Sequence, residues 1–142
     1  MTKVRQLLDG KGREIFSVDA EDPVLEAIRL MAERHVGALL VMKGGELVGI
    51  VSERDYARKV ILMGRASNAT PVWQIMSSPV HTVAPEQSLD DCMRLMTELR
   101  IRHLPVLSQG RVVGVLSIGD LVKGVIADQQ HTIEQLETYI HS

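Results

Sequence analysis

Apolar residues along this chain follow two periods, and the same succession of periods occurs twice. Glu14 to Val18 reads as a short strand. Val24, Ala27, Ile28 and Met31 then recur at helical spacing. Asp22 is the expected helix N-cap and Pro23 suits the first helical position. Two strand-like runs follow, Ala38 to Met42 and Leu47 to Val51, separated by Gly44-Gly45, a turn signal. A helix is predicted from about Glu53. The second half copies this order. Ser88 is the expected cap, and Leu89, Cys92, Met93 and Met96 form the stripe. Leu104 to Leu107 and Val112 to Leu116 flank the Gln109-Gly110 turn, and a helix is predicted from about Ile118.

Ile15 to Ile61 and Val80 to Ile126 align without a gap, each position matched 65 further on. The unit is strand, helix, strand, strand, helix, so the predicted class is α/β (α+β), with small sheets and helices packed in layers. A unit this small cannot bury its apolar faces alone, so the two copies are expected to pair about a pseudo-twofold axis with paired clefts. The expected organisation is a single module over residues 1–142: repeat 1 at 14–63, a linker at 64–79, repeat 2 at 80–127 and a C-terminal helix at 128–142. Thr2 to Asp9 reads as a short helix ahead of Gly10-Lys11-Gly12. Thr70-Pro71 reads as a helix start in the linker, with Val72, Ile75 and Met76 as its apolar side. Ile133, Leu136, Tyr139 and Ile140 share one face of the tail, which either packs on its own domain or a second copy, or meets a foreign partner.

Composition narrows the function classes. At 142 residues the chain can bury about two thirds of its unfolded surface and needs no staples. A net charge of −2 argues against a general nucleic-acid binder, and aromatic residues at 3% leave few rings for base stacking. The single cysteine, Cys92, rules out an internal disulfide and fits a reducing compartment. The first residues lack the apolar core of a secretory signal, and no apolar run approaches the ~20 residues that cross a bilayer. The expectation is a cytoplasmic protein with no membrane contact.

The chemistry lies in Gly49-Ile-Val-Ser52-Glu-Arg-Asp55 and its copy, Gly114-Val-Leu-Ser117-Ile-Gly-Asp120. Each runs from a strand into a helix start. Taken singly, Ser-x-x-Asp is a capping box: serine accepts a first-turn N–H and the acid reaches back. Acid in the first turn also suits the helix dipole. A functional reading uses the same geometry. Free N–H groups at a helix start attract phosphate, and a short carboxylate beside them can accept both hydroxyls of a ribose. Ribose plus phosphate at one helix start describes a nucleotide site.

The doubled unit, its Gly-x-x-Ser-x-x-Asp ends and Arg102-His-Leu-Pro-Val106 together resemble a tandem pair of cystathionine-β-synthase (CBS) domains, a Bateman module. Ser52-Glu-Arg-Asp-Tyr-Ala-Arg-Lys59 and Arg100-Ile-Arg-His-Leu-Pro-Val106 further resemble small stand-alone bacterial and organellar CBS-pair proteins. The resemblance spans Glu14 to Ile126. It implies adenosyl ligands: AMP, ADP or ATP, in some members NAD(H) or S-adenosylmethionine. It implies that Asp55 and Asp120 hold the two riboses, with Ser52 and Ser117 beside ribose or phosphate. It implies clefts that draw on both repeats, with Arg102 and His103 meeting phosphate in the Asp55 site and Val36, Gly37 and Ala38 at the matching place in the Asp120 site. Arg54, Arg58 and Lys59 make the Asp55 side the more basic one, since Gly119 stands opposite Arg54. On that reading the Asp55 site prefers a phosphorylated adenosine, and the Asp120 site a larger or less charged ligand such as NAD.

The expected function is therefore a regulatory, ligand-sensing module, built as a homodimer, that acts on a target protein in trans. The alternative is a ligand-independent protein-interaction or nucleic-acid-binding module on the same fold. An enzyme is not expected: the sequence shows no Walker-type loop, no metal-ligand spacing and no activated nucleophile, so no catalytic or metal residues are assigned. Histidines 35, 81, 103, 131 and 141 lack metal spacing. His103 is either a ligand contact or a packing residue, and Cys92 is core filler. Trp73 covers a cleft or forms an interface. Arg5, Lys11 and Arg13 are expected to be solvated.

Overall fold

The structure, a computed structural model, describes residues 2–141. The elements are α1 (Val4–Lys11), β1 (Ser17–Asp19), α2 (Val24–Arg34), β2 (Ala38–Lys43), β3 (Glu46–Ser52), α3 (Glu53–Tyr56, running into a π-helical turn Ala57–Ile61), a 3-10 turn Val72–Gln74, α4 (Leu89–Leu99), β4 (His103–Ser108), β5 (Arg111–Ser117) and α5 (Ile118–His141). The mixed α+β class and the doubled unit are as expected. Strand boundaries differ from the sequence reading by at most three residues at either end.

The chain divides into two compact units. One is Ile15–Val80; the other joins the residues up to Glu14 with those from His81 onward. Each unit therefore holds one repeat plus a segment from outside it. In the first unit the sheet order is β1-β2-β3, with β1 parallel to β2 and β2 antiparallel to β3. Its core holds Val24, Ala27 and Met31 of α2 together with Leu39, Val41 and Val51. Val72 and Ile75, from the expected linker, are fully buried in that same core.

The second unit repeats the plan with α1 in the place of that segment. Val4 and Leu8 are fully buried among Leu89, Cys92, Met96, Leu104, Val106 and Leu116. The two added segments make matching backbone bonds. Val72 N–H donates to Asp22 C=O at 2.9 Å and Trp73 N–H to Ala20 C=O at 3.1 Å. In the second unit Val4 N–H donates to Gln87 C=O at 2.9 Å and Arg5 N–H to Pro85 C=O at 3.0 Å. Position by position, α1 does for the second repeat what residues 70–76 do for the first.

This exchange explains the motif glycines. A Cβ at Gly114 would collide with Leu8, and one at Gly49 with Met76 and the Ser77 carbonyl. Both glycines clear β-strand surface for the added segment, a packing role that leaves the ligand question to serine and aspartate.

Two expectations need correction. Asp22 does not cap α2. Its carboxylate accepts the Asp19 N–H at 3.1 Å, Pro23 takes the cap position with no side-chain bond, and the first helical N–H, on Val24, donates to Thr70 C=O at 2.8 Å. Thr70-Pro71 opens a single 3-10 turn rather than a helix. The turn residues behave as read: Gly44, Gly45, Gln109 and Gly110 all have positive φ, the conformation tight hairpins need.

The sheets differ by one strand. In the first unit Leu40 N–H donates to Phe16 C=O at 3.2 Å, part of the β1–β2 ladder. The matching residue in β4 is Pro105, which has no N–H to give. The second unit keeps only a single parallel bridge there, Val83 to Val106, and its sheet is β4-β5 alone.

Residues 126–141 of α5 are exposed throughout, so the tail face carrying Ile133, Leu136, Tyr139 and Ile140 is not folded back into a core. Among the described residues, no helix is long and apolar enough to cross a membrane.

Candidate functional site

Each repeat delivers its serine and aspartate by the same local route. β3 ends at Ser52 and β5 at Ser117, and a helix begins at the next residue in both. The end of each hairpin is pinned to the helix start by one more bond. Glu53 N–H donates to Gly37 C=O at 3.0 Å, and Ile118 N–H to Arg102 C=O at 2.8 Å. In register, Ala38 pairs with Ser52, and His103 with Ser117. The strand starts named from the sequence, Val36-Gly37-Ala38 and Arg102-His103, therefore lie beside the serine of their own repeat.

The capping box is formed at both places. Asp55 N–H donates to Ser52 Oγ at 3.1 Å, while Ser52 N–H and Oγ–H both donate to Asp55 Oδ2 at 3.0 Å. Asp120 N–H donates to Ser117 Oγ at 3.2 Å, and Asp120 Oδ2 accepts the Ser117 N–H at 2.8 Å and its hydroxyl at 3.0 Å. Each arrangement contributes about 1 kcal/mol to its helix start.

Each aspartate also meets a lysine. Lys59, one turn along in the same helical stretch, places Nζ 3.2 Å from Asp55 Oδ1 and donates to Ile75 C=O at 2.9 Å. Lys11, at the end of α1, places Nζ 2.7 Å from Asp120 Oδ2 and donates to Val115 C=O at 2.8 Å. Lys11 is exposed, as expected, but its ammonium group is paired, and it gives the Asp120 side a cation that local sequence does not reveal. Arg5 and Arg13 do stay at the surface, in pairs with Glu86 and Asp9.

Electrostatics follow from these contacts. Burial pushes the Asp120 carboxyl up, but hydrogen bonds from Lys11 and Ser117 outweigh it, and the net shift is below the usual carboxylate value. His103 is half-buried, and its imidazole is held below its ordinary value by burial and by the Lys11 and Arg102 charges, against an opposing pull from Asp120. Arg54 and Arg102 are exposed. Cys92 is buried, and its thiol is pushed up to about 11 by burial and by Asp91, which makes it a poor nucleophile. Among the described residues, no three His, Cys, Asp or Glu side chains are placed to hold a metal ion.

The CBS domain model matches twice, over residues 11–62 and 72–127. The chain belongs to the CBS domain family. The two matches fall on the two repeats. Among curated proteins, the mitochondrial CBS domain-containing protein CBSX3 of Arabidopsis thaliana is 42% identical over 148 residues, covering 98% of this chain and 72% of that protein. A solved protein with CBS domains from Burkholderia ambifaria superposes with a TM-score of 0.87 at 57% identity, over 90% of this chain and 96% of that one. The CBS domain pair of protein MJ0100 shares the fold, with a TM-score of 0.80 at 22% identity over 90% and 98% of the two chains.

Proposed function

We propose that this CBS pair is a regulatory, ligand-sensing module that binds adenosyl nucleotides at its two Ser-x-x-Asp helix starts. The observation that carries the reading is the repeated constellation itself. In each unit a carboxylate, a serine and the N–H groups of a helix start converge, and the repeat around them is a CBS domain. A carboxylate accepts the two hydroxyls of a ribose, and the helix start favours phosphate. The MJ0100 pair was solved in complex with 5′-methylthioadenosine and S-adenosyl-L-methionine, adenosyl ligands of the class proposed here.

AMP, ADP and ATP are the first candidates, with NAD(H) next. Arg54 and Lys59 flank the Asp55 helix start, and Lys11 and Arg102 the Asp120 start, so both are assigned phosphate-bearing ligands. Binding would bias the conformation of the pair, and a target protein in trans would read that bias. A homodimer is the proposed working form. Catalysis plays no part in this reading.

A thermal-shift screen of AMP, ADP, ATP, NAD and S-adenosylmethionine tests it. A ligand at about 100 times its dissociation constant adds about 2.7 kcal/mol of stability, a shift of several degrees. No shift from any of the five would remove the reading. One observation favours a second reading, an interaction module that needs no ligand: the exposed apolar residues Ile126, Ile133 and Leu136 on α5. Partner capture unchanged by Asp55→Ala and Asp120→Ala would support it.

A further inference from the structure

Of the ion pairs among the described residues, only two involve a carboxylate side chain less than a fifth exposed: Lys59–Asp55, with Asp55 at 13%, and Lys11–Asp120, with Asp120 at 17%. The others join exposed groups. The lysines therefore single out the two carboxylates of the repeated motif.

The two pairs differ in what the lysine is attached to. Lys59 belongs to the same helical stretch as Asp55, four residues on. Lys11 is the last residue of α1, and Gly12 breaks the helix behind it with φ 97°. Its two acceptors, Asp120 Oδ2 and Val115 C=O, lie 109 and 104 residues away in sequence. One ammonium group thus ties the end of α1 to the junction of β5 and α5.

Asp120 Oδ2 also carries more donors than it has lone pairs. Ser117 N–H, Ser117 Oγ–H and Lys11 Nζ all converge on it, whereas a carboxylate oxygen offers about two lone-pair sites. A ribose that forks across both carboxylate oxygens brings one more donor to Oδ2, which is already full, and one of those present must yield. The Ser117 groups are fixed by the capping box. Lys11 is held by the end of a flexible four-carbon stem and is the donor free to leave.

We propose that Lys11 is a working part of the Asp120 site: its ammonium group competes with sugar hydroxyls for the Asp120 carboxylate, so ligand binding there loosens the end of α1. This rests on the reading of Asp120 as a ribose acceptor. It couples occupancy of the Asp120 site to α1; at Asp55 the lysine belongs to the carboxylate's own helical stretch and reaches residues 70–76 through its bond to Ile75 C=O. It also sets ligand preference: a sugar carrying no phosphate gains nothing from Lys11 and meets it only as a competitor.

The probe is adenosine, which is uncharged, titrated into the Asp55→Ala protein so that Asp120 is the remaining site. Adding Lys11→Met should tighten adenosine about three- to fivefold, the size of a partly exposed ion pair removed from competition. Lys11→Arg, which keeps the charge, should stay close to the Asp55→Ala parent. Saturating adenosine should speed amide hydrogen exchange at residues 10–12 in the parent and leave it unchanged in the Lys11→Met protein, where the tie is already cut. Circular dichroism confirms that each variant is folded, and Lys11→Gln serves as a second neutral variant. Affinity that is equal or weaker without the ammonium group, or exchange that slows with adenosine, overturns the proposal. If adenosine binds, and Asp120→Asn abolishes the binding while Lys11→Met does not change it, only the role of Lys11 falls. If adenosine binds neither protein, the ribose-acceptor reading falls and takes this proposal with it.

Discussion

The Asp55 and Asp120 helix starts carry the same serine, the same aspartate and the same bonds between them, yet their lysines arrive by opposite routes. Lys59 comes from four residues along the chain; Lys11 comes from 109 residues away, on α1. The same pairing recurs at two sites through unrelated sequence neighbourhoods. What the two sites share is a demand for positive charge beside a partly buried carboxylate, and either a local or a distant residue meets it. A like contrast runs through the units as a whole. Val72 and Ile75 complete the first core, and Val4 and Leu8 of α1, from the far end of the chain, complete the second.

The largest effects should come from breaking those completions. Ile75→Ala in the first unit and Leu8→Ala in the second each delete a fully buried side chain and should cost about 2–5 kcal/mol in urea unfolding. Hydrogen exchange should separate them. Ile75→Ala should release protection in β2 and β3, and Leu8→Ala in β4 and β5. Matching losses in both sheets from either variant would contradict the division into units.

Smaller effects sharpen the comparison of the helix starts. Ser52→Ala and Ser117→Ala each remove a formed cap and should cost about 1 kcal/mol in chemical denaturation. Near-equal losses are expected because the bonds at the two serines are the same. A several-fold difference would show that one site relies on its lysine in place of the cap.

The smallest expected effect is a pH dependence confined to the second unit. His103 stands where the first repeat has Ala38, and its value in the fold is depressed from 6.5. A depressed histidine is stable as the neutral form. Its contribution is complete above about 6.5, the unfolded value, and is lost as pH falls through the lower folded value. Wild-type stability should therefore drop more between pH 7 and 5 than that of His103→Gln. Identical slopes would mean that the imidazole is not held neutral by its surroundings.

Most of the fold could be read in the sequence because its signals are local. The two stripes, the two hairpin turns and the Ser-x-x-Asp starts each lie within a few residues of their own partners. Ser88 was legible as a cap because its acceptor bond runs to Asp91, three residues on. Asp22 was misread because the N–H it was expected to take is satisfied by Thr70 C=O, a bond that no window of local sequence contains. The pairing of Lys11 with Asp120 was not legible for the same reason. The missing strand of the second unit left a trace in Pro105, which cannot donate to a neighbouring strand, and that proline stands in the sequence for anyone aligning the repeats. The glycines of the motif were conspicuous for the chemistry around them, but their role is room for Leu8 and Met76.

The central claim is that Asp55 and Asp120 grip the ribose of an adenosyl ligand. Isothermal titration of AMP and NAD into wild-type, Asp55→Ala, Asp120→Ala and doubly substituted protein tests it most directly. Losing hydrogen bonds to a charged group costs about 1.5–3 kcal/mol, so each substitution should weaken its own site by roughly tenfold to more than a hundredfold. The account predicts that the two single variants lose different portions of the binding and that the double variant, still folded, loses nearly all of it. Undiminished binding by the double variant would contradict it.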